Sequence, residues 1–97
     1  MNFCYILFSP SLGKFYTGIT QKSLESRIEK HNIHSYGNHR FTAKASDWEL
    51  FLSIETNSYS HARRIELYIK KMKSAVFIKK LREEPLILQE LIEKTRQ

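Results

Sequence analysis

The sequence predicts a small α/β domain of the α+β kind: a three-stranded, mostly antiparallel sheet flanked by helices, in the order β-β-α-β-α-α-α. Three observations lead there. Residues 3–8, reading Phe-Cys-Tyr-Ile-Leu-Phe, form a continuous apolar run, the pattern of a strand buried on both faces. Ser9 to Gly13 supplies turn chemistry before a second strand-like stretch, as a β-hairpin requires. From Asn57 onward apolar residues recur at helical spacing. Ninety-seven residues allow one domain with a modest core, so 1–97 reads as a single unit.

Each element has its own reason. The second strand, Lys14 to Ile19, stops near Gly18, a residue that permits a bend or a close backbone approach. A short helix follows, capped by Thr20 or Ser23 and carrying Glu25 and Glu29. At about 100° per residue, Leu24, Arg27, Ile28 and His31 share one of its faces. Asn32 to Ser46 is polar and reads as a loop of about 15 residues, a length often tied to function. Trp48 to Ile54 suits a third strand in the middle of the core. A helix capped by Asn57 or Ser58 then runs to about Met72, with Tyr59, Ala62, Ile65, Ile69 and Met72 as its apolar stripe. Ala75 to about Glu83 forms a basic helix. Pro85 opens the last one (86–97), since proline is tolerated in a first turn. Its stripe is Ile87, Leu88, Leu91 and Ile92.

The charge is unevenly distributed. Sixteen lysines and arginines face ten acids, a net of +6. Between His61 and Arg82 lie eight bases and one acid, Glu66, a local net of +7. The rest of the chain carries eight bases and nine acids, a net of −1. A polyanionic partner, nucleic acid foremost, fits this concentration. Cys4 is the single cysteine, which excludes an internal disulfide framework and a cysteine zinc cluster. The apolar run is too short to span a bilayer, and no signal-peptide pattern opens the chain. A cytoplasmic protein with no membrane partner is the expectation.

Several side chains admit two readings. Glu66 falls about 40° from Ala62 and about 60° from Ile69 on its helix, at the edge of the apolar stripe. It is either an i,i+4 partner of Lys70 or a carboxylate for Mg²⁺, which accepts one or two protein ligands and keeps its waters. Arg27 either lays its stem on the core or clamps a phosphate with its planar fork. His31, one turn further, is structural or assists chemistry. His34, His39 and His61 read as loop or surface residues, and no pair has zinc spacing. Tyr5 and Tyr16 lie on adjacent strands, as cross-strand packing partners or as a functional pair.

Together, Phe3-Cys4-Tyr5, ten intervening residues, Tyr16-Thr17-Gly18, Arg27 on the next helix and Glu66 on the helix after the third strand resemble the signature of the GIY-YIG endonuclease superfamily. The resemblance covers roughly residues 3–82 and is closest to small stand-alone bacterial members. It implies a metal-dependent endonuclease that hydrolyses DNA phosphodiester bonds in repair, recombination or processing. On that resemblance Tyr5 and Tyr16 position or deprotonate the attacking water and Arg27 neutralises the scissile phosphate. His31 assists proton transfer or phosphate contact, and Glu66 holds Mg²⁺ (or Mn²⁺). Gly18, Lys44, Arg63, Lys70, Lys71 and Lys79 are expected along the nucleic acid. Phe3, Cys4 and Thr17 depart from the family triplets at positions expected to face the core. The family also keeps an asparagine beyond the glutamate helix, whereas no asparagine follows Asn57. That departure supports an alternative, a nucleic-acid-binding module without catalysis. No second DNA-recognition domain is expected, so a partner protein would supply targeting. The domain is expected to be a monomer or weak homo-oligomer. A third reading makes the last helix, through Leu88, Leu91 and Ile92, a protein-docking surface.

Overall fold

The computed structural model describes residues 2–34, 37 and 41–96. A three-stranded antiparallel sheet has β1 (Asn2–Ser9) at its centre, with β2 (Lys14–Thr20) on one side and β3 (Glu49–Thr56) on the other. Four consecutive residues of β1, Cys4 to Leu7, are fully buried, as the unbroken apolar run implies for a strand covered on both faces. The hairpin pairs Tyr5 with Gly18 and Leu7 with Tyr16. Its turn is closed by Gly13, which donates to the Ser9 carbonyl at 2.7 Å and adopts φ +64°, a conformation glycine enters without steric cost.

Because side chains alternate across a strand, β1 feeds two separate cores. Cys4 and Ile6 join Ile54 and the helices α2 (Tyr59–Met72), α3 (Ala75–Glu83) and α4 (Pro85–Thr95). Tyr5 and Leu7 face the other side, against Trp48, Phe41, Tyr16 and the helix α1 (Leu24–Asn32). Ser23, Ser58 and Ser74 cap α1, α2 and α3, each accepting a backbone N–H three residues on. Pro85 occupies the first turn of α4, where its missing N–H costs nothing.

Three expectations need correction. The polar stretch from Asn32 to Ser46 is not wholly loop. Asn32 ends α1, and Phe41–Lys44 form a 3-10 turn with Thr42 and Ala45 buried. Residues 35–36 and 38–40, including His39, lie outside the described ones. The third strand begins at Glu49 and is an edge strand, largely exposed or half-buried with Ile54 reaching the core, rather than one in the middle of the core. Trp48 is held away from the strand by its own bonds: its backbone N–H donates to Asn32 Oδ1 at 2.7 Å and its indole N–H to the Thr42 carbonyl at 2.8 Å. His61 is buried rather than superficial, with Nε2 within 3.1 Å of both the Ile92 carbonyl and Thr95 Oγ1. Arg64 donates to the Thr95 carbonyl at 2.6 Å. These bonds fasten the C-terminal end of α4, where orphan carbonyls and the helix dipole favour a cation. The two ends of the α2 stripe, Tyr59 and Met72, are exposed.

Asp47 ties the hairpin turn to the segment before β3. It accepts from Ser9 Oγ at 2.6 Å, from the Ser11 backbone at 2.9 Å and from Ser11 Oγ at 3.0 Å. The Ser9 hydroxyl, foremost among these donors, holds its carboxyl below the usual carboxylate range.

Candidate active site

The site starts from one requirement of the hairpin. Tyr5 is fully buried, and its ring lies across β2 directly over Gly18. A Cβ at Gly18 would sit 2.6 Å from the Tyr5 hydroxyl oxygen and 2.7 Å from Cζ, closer than carbon ever packs there. Glycine is needed at this position for space, and its role is to admit Tyr5.

Freed by that gap, the Tyr5 hydroxyl reaches two residues of α1. Arg27 Nε donates to it at 3.3 Å, and His31 Nε2 lies 2.9 Å away. His31 Nδ1 in turn meets Thr42 Oγ1 at 2.9 Å. A neutral imidazole with its proton on Nδ1 satisfies the whole row: arginine donates to tyrosine, tyrosine to Nε2, and Nδ1 to the threonine. Burial, reinforced by the nearby Arg27 charge, pushes the His31 pKa down to about 4, so the ring is neutral at physiological pH. Arg27 and His31 share a helix face because they stand four apart, and Leu24 and Ile28 of the same helix pack that face onto the second core.

Tyr16 differs from Tyr5. The two rings stand 6.4 Å apart, yet Tyr16 is only half-buried and its hydroxyl makes no hydrogen bond among the described residues. His31 meets it edge-on at 5.0 Å, and Phe41 stacks on it at 6.3 Å. Lys70, from α2, brings its ammonium to 5.8 Å from the Tyr16 ring centre.

The same lysine leads to Glu66. Its Nζ donates to Glu66 Oε2 at 2.9 Å, and Arg63 donates to Oε1 at 2.6 Å. The carboxylate is thus no farther from the Tyr16 ring than the two Lys70 distances laid end to end. Glu66 is 5% exposed, so the stripe-edge position does bury it, and two cations offset the desolvation. Beneath it, Cys4 is pushed up to about 12 by its own burial and, secondarily, by the Glu66 charge; the thiol is inert.

Arg27, Tyr5, Tyr16, Lys70 and Glu66 therefore form one continuous row from α1, across the hairpin, to α2. Of the remaining expected residues, Lys44 lies over the Phe41 ring at 5.3 Å, and Lys71 and Lys79 are exposed on α2 and α3. Thr42, which orients His31, escaped the sequence reading; the polar stretch around it gives no periodic signal.

No group of three His, Cys, Asp or Glu side chains that could hold a metal occurs among the described residues. Glu66 by itself still fits Mg²⁺, which takes one carboxylate and keeps several waters. Each Glu66 oxygen also retains lone-pair capacity beyond its single ion pair.

Residues 1–82 match the family model of the GIY-YIG catalytic domain. The chain belongs to the GIY-YIG family. The match covers most of the chain, and the observed sheet and helices have the family's α+β layout. GIY-YIG domains are nuclease folds that commonly use a divalent metal and act on nucleic acid. No curated protein and no solved structure matches the chain. Among the described residues of this GIY-YIG domain, no helix is long and apolar enough to cross a membrane.

Proposed function

We propose that this GIY-YIG domain is a metal-dependent endonuclease that hydrolyses DNA phosphodiester bonds, in the setting of repair, recombination or processing. The supporting observation is the row itself: an arginine, two tyrosines and a buried glutamate, drawn from four different elements, meet along one edge of the hairpin.

Their environments suggest distinct roles. Tyr16, half-buried with its hydroxyl unspent, orients the attacking water and, as the phenolate, takes its proton to become the neutral phenol. Tyr5 has no access to solvent; it is a positioning residue that fixes Arg27 through Nε and is itself fixed by His31. Arg27, so oriented, neutralises the phosphate as charge builds in the transition state. His31 stays neutral and holds the tyrosine, and its low pKa makes it a poor store for a proton. Glu66 is the residue that would hold Mg²⁺ or Mn²⁺, which when bound supplies Lewis-acid stabilisation of the phosphate and leaving oxygens. Lys70 keeps positive charge between Glu66 and Tyr16. Arg63, Lys71 and Lys79 extend a basic surface for the strand, with Lys44 at its margin.

The direct test incubates wild type and Glu66→Gln with branched, nicked and linear DNA plus Mg²⁺. Metal-dependent cutting by wild type alone is expected. No cleavage above the Glu66→Gln background on any substrate refutes the proposal. The engagement of both Glu66 oxygens by Arg63 and Lys70, with the absence of an asparagine after Asn57, favours a second reading: a binding module without catalysis. That reading predicts salt-sensitive DNA affinity that Glu66→Gln leaves unchanged, and no cutting.

A further inference from the structure

We propose that a cleft beside Tyr16 seats an unpaired nucleotide of the substrate strand, making the preferred substrate a DNA splayed next to the scissile phosphate. This rests on the nuclease reading above. The cleft, about 490 Å³, opens between β2 and the junction of α2 with α3, a size within the range of small-ligand sites. At that junction Lys73 ends α2 with a left-handed φ of +49°, Ser74 immediately caps α3, and both residues line the cleft.

The lining pairs flat apolar surface with positive charge. Tyr16 and Phe41 lie nearly parallel, 17° apart, and line the cleft together with Ile69 and Ile78; Lys14, Lys70 and Lys73 line it too, and no acid does among the described residues. A nucleotide asks for this combination, with the base on a ring face and the phosphates on lysines. A paired base keeps both faces stacked on its neighbours and offers only edges, so an unpaired one is required. Tyr16 and Lys70 belong to both the cleft and the catalytic row, which puts the seated nucleotide beside the phosphate to be cut. Gly13, Phe15 and Ala75 line this cleft and also a second one, about 470 Å³, that continues toward Phe51. There Arg82 lies over the Phe51 ring at 4.6 Å and Lys79 also lines the cleft, with Glu49 the one acid among its described lining residues. The next nucleotide of the same strand follows that path.

Ala75 is exposed in the first turn of α3 and borders both clefts, so Ala75→Trp fills them. Fluorescence anisotropy without divalent metal compares a nicked duplex with the same duplex bearing a short single-stranded oligothymidine arm. Wild type is expected to bind the armed DNA about tenfold tighter, the contribution of one stacked base, and Ala75→Trp to bring that ratio near one. The double variant Lys14→Gln, Lys73→Gly removes the phosphate contacts while suiting the left-handed backbone at residue 73. It should lower the ratio likewise, and it decides the matter if thermal melting shows Ala75→Trp unfolded. Equal affinity for both DNAs in wild type, or a ratio neither variant moves, overturns the cleft. If wild type cuts and Glu66→Gln does not while the ratio stays unmoved, the nuclease stands and the cleft falls. An arm preference abolished by Ala75→Trp, in a protein that cuts nothing, upholds the cleft and removes the nuclease.

Discussion

Replacing Gly18 by alanine tests how the site is built. The added Cβ would stand 2.6 Å from the Tyr5 oxygen, 2.7 Å from Cζ and 3.2 Å from Tyr16 Cε2, whereas ordinary contact begins near 3.4 Å. Something must move by about 0.8 Å, and Tyr5 is fully buried. Overpacking of that kind costs about 1–3 kcal/mol, and loosening the bonds from the Tyr5 hydroxyl to Arg27 and His31 adds about 1 kcal/mol. At about 4–8 °C per kcal/mol for a domain of this size, the melting temperature should fall by roughly 10–30 °C. Cleavage should fall further than stability explains, since Arg27 loses its anchor. Gly13→Ala is the control: a Cβ there meets nothing within 4 Å, and only the positive φ opposes it, a cost of about 1 kcal/mol. Thermal melts and cleavage rates on both variants give the answer. If Gly18→Ala is no less stable than Gly13→Ala and cuts DNA as wild type does, the steric reasoning is wrong.

Other perturbations reach the remaining parts. With a folded-state pKa of about 4 against 6.5 unfolded, His31 binds its proton more readily in the unfolded chain. Its contribution is therefore complete above pH 6.5 and erodes as pH falls toward 4, by about 1–3 kcal/mol. Urea melts across that window should show the loss in wild type and a flatter profile in His31→Gln; identical profiles refute the neutral imidazole. Lys79→Ala should weaken DNA binding at low salt and reduce the slope of log affinity against log salt by about one; an unaltered slope takes Lys79 off the strand's path. Leu91, 1% exposed in the core though beyond the matched residues, should cost about 2–5 kcal/mol as alanine. A denaturation midpoint equal to wild type would make α4 an appendage.

What sequence pattern reveals here depends on how local the cause is. Cys4 to Leu7 reads as a central strand because burial on both faces leaves no polar alternation. The start of α4 is legible from Pro85, a residue that acts on its own first turn. Glu66 is legible as a desolvated carboxylate from its angle on α2 and as a partner of Lys70 from spacing. The second cation, Arg63, is also local, three residues back on the same helix. His61 reads as superficial because its partners are Ile92 and Thr95, over thirty residues on. A signal existed all the same: His61 precedes Ile65 by one turn, on the stripe. Thr42 and the 3-10 turn left no such trace, since Trp48 and His31, the residues that organise them, act through tertiary contacts. Likewise Gly18 shows in sequence only as a place for a bend or a close backbone approach, and its real reason, the Tyr5 hydroxyl, needs the hairpin register.

The most direct test of Glu66 as the metal-holding residue of a hydrolytic site is anomalous diffraction from crystals of the wild-type protein soaked in Mn²⁺. A peak beside the Glu66 carboxylate, on the side of Tyr16 and lost in Glu66→Gln crystals, is the predicted result. Manganese bound elsewhere, or a Glu66 that keeps only Arg63 and Lys70 at saturating metal, would contradict it.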